Sequence, residues 1–111
     1  MTEYRTVYGT LDLEITIGVN TDLPHSGQVD DIVDSELPAA LQRFIRKNVD
    51  YGDAAVHLGS KGQFADMNRK YWKLKAALWD GKKLTGEPIE EVLQDMIGHC
   101  LLTLHFLNRG E

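Results

Sequence analysis

The 111 residues hold one cysteine, Cys100, and three prolines. A single thiol excludes a disulfide within the chain and a cysteine-based zinc cluster. No apolar run approaches the ~20 residues that cross a bilayer. Met1 to Val7 is polar and lacks the apolar stretch of a secretory signal. These absences lead to the expectation of a cytoplasmic, reducing setting with no membrane partner. There is no Walker-type glycine loop and no GxGxxG pattern. His99 and His105 are not at the i, i+4 spacing that lets two imidazoles share a metal on one helix. Lys and Arg do not exceed Asp and Glu: the net charge is -5, against general nucleic-acid binding, which depends on a basic excess.

What the chain does have begins with a charge asymmetry. Seven basic residues (Lys61, Arg69, Lys70, Lys73, Lys75, Lys82 and Lys83) lie between positions 61 and 83 beside only two acids, Asp66 and Asp80. A basic segment in an acidic chain points either to internal charge pairing or to a seat for a small polyanion. The 42% hydrophobic and 26% charged composition is that of an ordinary globule, and the length suits a single domain over 1–111.

The order of elements follows from periodicity. Leu11, Leu13, Ile15, Ile17 and Val19 alternate with polar residues, which predicts a half-buried strand. Glu3 to Tyr8 reads as a second strand, with Tyr8-Gly9 as the hairpin turn, so 1–20 is a strand pair. The chain then reads as a loop to Val29. A first helix has Ser35 as N-cap and Pro38 in its first turn, or starts near Asp30 and kinks at Pro38; it ends near Asn48. A second opens on a Ser60/Gln63 capping box, carries Phe64, Met67, Tyr71, Leu74 and Leu78 on one face, and stops at Gly81. Trp72, Ala76 and Trp79 form a second apolar strip beside it. A third helix starts with Pro88 as its first residue and is apolar around most of its circumference, as for a central, buried helix. Cys100 reads as a small core residue. The expected fold is α+β, mainly α: a three-helix core over 30–109 with an N-terminal strand pair.

Three groups of residues suit chemistry. Glu91, Asp95 and His99 recur at i, i+4 and i+8 on one face of the third helix. Two carboxylates one turn apart suit a hard cation such as magnesium, and His99 suits proton transfer or the orientation of a water. The plainer alternative is a solvated polar strip. Lys47, Asp50, Tyr51 and Asp53 fall in one short segment, where they either shape a turn or offer a phosphate contact, cation ligands and a stacking ring. Arg69, Lys70 and Lys73 cluster on the second helix and repel one another mildly unless an anion or acidic partner faces them.

These residues also carry a resemblance. Lys47-Asn48-Val49-Asp50-Tyr51-Gly52, the stretch from Asp66 to Leu74 with its Lys70-x-x-Lys73-Leu74 element, and Ile89-Glu90-Glu91-x-x-x-Asp95 together resemble the nucleotide modification associated domain common in bacteriophage genomes. That family is similar to a reduced all-α nucleoside triphosphate pyrophosphatase. The resemblance covers about 36–107. It implies a helical, usually oligomeric nucleotide-binding core in which acids on facing helices hold magnesium against a triphosphate. Here the later acidic pair is one residue longer than the pyrophosphatases' ExxD, and no ExxE precedes it.

The resulting expectation is a phage-type nucleotide-binding protein in the host cytoplasm and a homo-oligomer. It sequesters a nucleotide, such as a host defence signal, or hydrolyses it with magnesium. In that reading Glu91, Asp95 and His99 are catalytic, Lys47, Tyr51, Arg69, Lys70 and Lys73 bind the nucleotide and its phosphates, and Asp50, Asp53, Glu91 and Asp95 hold the metal. The alternative is a non-enzymatic oligomeric module that docks onto a host protein through its strand edge or its tryptophan strip.

Overall fold

In a computed structural model the protein is a mainly helical α+β chain. The structure describes residues 1–9, 14–20, 22, 27–51 and 57–110, with Tyr8, Val49, Asp50 and Tyr51 described by backbone alone. The elements are β1 (Thr2–Gly9), β2 (Glu14–Asn20), α1 (Gly27–Asp34), α2 (Glu36–Tyr51), α3 (Gly59–Leu74), which continues into a π-helical turn (Lys75–Trp79), and α4 (Ile89–Asn108). The chain divides into two compact units, Met1–Gln42 and Arg43–Glu111. Among the described residues no helix is long and apolar enough to cross a membrane.

In the first unit β1 and β2 pair antiparallel, with an irregularity between Thr6 and Tyr8. The expected alternation holds along β2, where Ile15, Ile17 and Val19 are half-buried and their neighbours exposed. The turn differs from expectation. Gly9 pairs with Glu14, so Tyr8-Gly9 belongs to the strand, and the connection falls within 10–13, outside the described residues. Tyr4 faces Gly18 across the ladder, and a Cβ added to Gly18 would stand 2.5 Å from Cε1 of the Tyr4 ring. The bare glycine backbone is thus covered by an aromatic neighbour. Arg5 ties β1 to α1: its Nε donates to Asp34 at 2.8 Å, and Asp30 lies 3.8 Å from the guanidinium.

The break between the first two helices falls at Ser35 rather than at Pro38. Helix α1 begins at Gly27, inside the expected loop, and the Ser35 N–H still bonds to the Asp31 carbonyl at 3.0 Å. The one Ser35 hydroxyl proton has both Asp31 O, at 2.7 Å, and the Glu36 carboxylate within reach as acceptors. It therefore satisfies the end of α1 instead of serving only as the cap of α2. Pro38 sits in the first turn of α2, buried, where its missing N–H has no intrahelical partner to lose.

In the second unit α3 and α4 pack together. The expected capping box does not form. Leu58 is the N-cap, without a side-chain cap bond, and Gln63 is fully buried with its amide committed to His99. Helix α3 turns Gln63, Met67, Lys70 and Leu74 inward and leaves Phe64, Tyr71 and Leu78 exposed, so the expected stripe is split between two faces. The stop at Gly81 does form. Its φ of 70° lies in the left-handed region, and the Lys82 N–H reaches back to Ala76 O at 2.9 Å. Pro88 stands one position earlier than expected, as the cap of α4, with ψ 146°.

Helix α4 differs most from expectation. Only Val92, Asp95 and Gly98 of its residues are buried, while Leu93, Ile97, Leu101, Leu104 and Leu107 are exposed. Cys100 is exposed rather than in the core. Among the described residues Ala40 and Val92, with Pro38, are the buried apolar side chains. Phe44 of α2 lies against Gly98: a Cβ there would stand 3.2 Å from its Cδ2. Gly98→Val should wedge α2 away from α4 and cost roughly 1–3 kcal/mol, read as a lower midpoint in urea and a lower Tm at unchanged low-temperature helicity.

Candidate functional site

A carboxylate is the centre of the second unit. Asp95 lies at i+3 from Val92 and shares its inward face of α4; its side chain is 6% exposed. A charge so removed from water must be matched by hydrogen-bonding cations. Three reach it. Arg43 Nε on α2 donates to Oδ1 at 3.0 Å, Lys47 Nζ one turn further along α2 reaches the same oxygen at 2.9 Å, and Lys70 Nζ on α3 reaches Oδ2 at 3.2 Å. Arg43 and Lys47 share a face at i, i+4, so one side of α2 delivers both. Lys70 is itself buried, its aliphatic stem lying along the α3–α4 contact and its charge set against Asp95.

Two further acids complete the cluster. Glu87, in the connection before α4, accepts from Lys73 Nζ at 2.5 Å and lies 3.6 Å from Lys70. Glu91 lies 3.7 Å from the Arg43 guanidinium and is partly exposed. Among the described residues four cations therefore meet three carboxylates, which leaves one positive charge in excess. Lys47 and Lys73 are the accessible cations, at 43% and 42% exposure. Each ammonium has three N–H donors, and the carboxylate contacts described above occupy one apiece.

The electrostatics follow from these contacts. Burial pushes the Asp95 carboxyl upward, but the hydrogen bonds from Arg43, Lys47 and Lys70 outweigh it and hold the group at about 2. The bond from Lys73 lowers Glu87. Arg43 loses hydration by burial, yet its bond to Asp95 and the surrounding acids raise it further. His99 is lowered, chiefly by burial. Its Nδ1 lies 2.7 Å from Gln63 Oε1. A neutral ring then donates its Nδ1 proton to the amide oxygen and carries its lone pair on Nε2.

The expected residues divide accordingly. Lys47, Lys70, Lys73, Glu91 and Asp95 are brought into one network. His99 is on the same helix, held by Gln63. Arg69 leaves the cluster and pairs with Asp66 at 2.9 Å, largely in solvent. The Asp50 and Tyr51 side chains and all of Asp53 lie outside the described residues. Arg43, Glu87 and Gln63 were not anticipated. Arg43 was signalled by its i, i+4 relation to Lys47, and Glu87 by its place just before Pro88; Gln63 read only as a capping-box residue.

A magnesium ion needs free oxygen ligands. Both oxygens of Asp95 already accept from cations and Glu87 accepts from Lys73, leaving Glu91 as the loosest carboxylate. Among the described residues no group of three or more His, Cys, Asp or Glu is placed to hold a metal. The described donors thus suit an anion better than a cation. Compared with family models, curated proteins and solved structures, the chain matches nothing.

Asp95→Ala would leave buried Lys70 with only Glu87, 3.6 Å away, as a counter-charge and should destabilise the protein by about 3 kcal/mol. Replacing the pair together, Asp95→Leu with Lys70→Met, should recover a large part of that loss in chemical denaturation. The pH dependence has a definite sign. Asp95 titrates near 3.9 when unfolded and at about 2 when folded, so the unfolded chain binds more protons in between. Its contribution is complete above about pH 4 and is lost as the pH falls toward 2. The lowered His99 acts in the same direction from about pH 6.5 downward. A Tm-against-pH profile should therefore fall on the acid side, and the Asp95/Lys70 double variant should flatten its lower limb.

Proposed function

We propose that the chain binds a phosphorylated small molecule, a nucleotide by preference, on the cationic rim of the Asp95 cluster. The observation that carries this reading is the convergence of Arg43, Lys47, Lys70 and Lys73 on fewer acids than cations, with Lys47 and Lys73 open to solvent. Phosphate oxygens accept from the remaining N–H groups of Lys47 and Lys73, while Asp95 and Glu87 keep both ammonium groups aimed at the same opening. Arg43 and Lys70 hold that arrangement from behind. The resemblance to phage nucleotide modification domains supports a nucleotide over free phosphate, and on it rests the proposal of an infected host's cytoplasm as the setting.

Binding without turnover is the preferred form. Asp95, the acid expected to hold a metal, is instead saturated by cations, which suits a protein that clamps and sequesters a nucleotide signal. If hydrolysis occurs, magnesium would polarise the phosphate, and Glu91 is the described carboxylate best placed to reach it. A second reading, docking onto a host protein, draws on an apolar hollow lined by Tyr71, Leu74, Lys75, Leu78 and Trp79.

A panel of nucleoside mono-, di- and triphosphates and cyclic nucleotides, with and without magnesium, should include members that raise the Tm. Lys47→Ala and Lys73→Ala should each weaken binding roughly tenfold to a hundredfold, as loss of a charge-assisted hydrogen bond does. Arg69→Ala, outside the cluster, should leave it unchanged. No shift with any member would favour the docking reading. Product release that disappears in Glu91→Gln would identify an enzyme.

A further inference from the structure

Glu91 differs from the two other acids of the cluster. Asp95 and Glu87 accept hydrogen bonds from the cations they face. Among the described residues the Glu91 carboxylate pairs only with Arg43, at 3.7 Å from Nη2, which is beyond hydrogen-bond reach. Its side chain is 43% exposed. Arg43 commits its Nε to Asp95. Among the described residues no acceptor lies within hydrogen-bond distance of its Nη groups, which carry four of the five guanidinium N–H donors. Lys47, one turn along α2, reaches the same Asp95 oxygen as Arg43 Nε. The guanidinium and the Lys47 ammonium therefore meet at one oxygen, with Glu91 beside them, one turn before Asp95 on the same face of α4.

We infer that Glu91 is a resident counter-ion on Arg43 that an incoming phosphate group displaces, taking the Nη donors together with Lys47. This rests on the phosphate-binding reading above and adds to it a contact at Arg43 and an internal competitor. No hydrogen bond fixes the Glu91 carboxylate, and a part-exposed ion pair at that separation is weak. A phosphate brings more charge, with oxygens spaced for the planar guanidinium fork, so the exchange favours the ligand. The two anions do not share the position, because a carboxylate left beside a bound phosphate repels it. Glu91 thus opposes binding of the metal-free ligand. A carboxylate that held magnesium for a nucleotide would have the opposite sign and would strengthen binding.

The test is calorimetric titration of the full chain in EDTA at about 0.15 M salt, where charges beyond ~8 Å are largely screened. Inorganic pyrophosphate and the nucleotides of the panel above serve as probes. Glu91→Gln keeps the shape and removes the charge, and should bind roughly threefold to tenfold more tightly than the unmodified chain. The gain should shrink at about 1 M salt. Glu90→Gln removes an equal charge from the exposed neighbour and should change affinity by less than about twofold. Arg43→Lys keeps a charge without the Nη fork, so it should bind more weakly and gain less from Glu91→Gln. If that variant fails to fold, the comparison of Glu91→Gln with Glu90→Gln decides. Unchanged or weaker binding by Glu91→Gln overturns the inference and leaves the phosphate reading standing, and so does an equal gain in Glu90→Gln. Probes that bind none of these proteins overturn both.

Discussion

The second unit is organised around a charge that has nowhere else to go. Asp95 is nearly sealed from water, and a lone carboxylate there would be neutralised or expelled. It persists because α2 brings Arg43 and Lys47 to one oxygen and α3 brings Lys70 to the other. Three helices are thereby held at a spacing that hydrogen-bond lengths define, where apolar packing alone would tolerate sliding. Among the described residues of this unit there is little buried apolar material to define it otherwise, and Val92 is the apolar side chain that is fully enclosed. Burial and electrostatics reverse their usual parts here, with a polar centre and an apolar exterior on α4.

Among the described residues the polar centre pairs most of its charges internally and leaves one positive charge in excess, with Lys47 and Lys73 open to solvent. The apolar exterior faces the opposite way.

Much of the architecture was legible in periodicity and punctuation. The two-residue alternation of Ile15, Ile17 and Val19, the left-handed stop at Gly81 and the proline start near Pro88 are each dictated by a few neighbouring atoms. The misreadings share a cause: they depended on contacts distant in sequence. Gln63 has the spacing of a capping-box residue, but His99, 36 positions away, takes its side chain. Phe64 and Tyr71 share an apolar stripe with Met67 and Leu74, yet Lys70 needs the inward face to reach Asp95, and the helix rotates to give it. Glu91 and Asp95 read as a matched pair of ligands. Only the depth of Asp95 beside Arg43 and Lys70 separates the roles of the two acids.

Glu87 shows how a connecting segment can hold a charge in place. It precedes Pro88, and the proline ring disfavours helical backbone angles for a residue in that position. Much of its conformational freedom is already absent in the unfolded chain, so little is surrendered when it meets Lys73 and Lys70. The proline usually credited with starting a helix here also aims a counter-ion, and the two duties are separable. A substitution of Pro88 that spares the helix would still loosen the acid behind it, slackening the cationic rim without touching any residue that lines it.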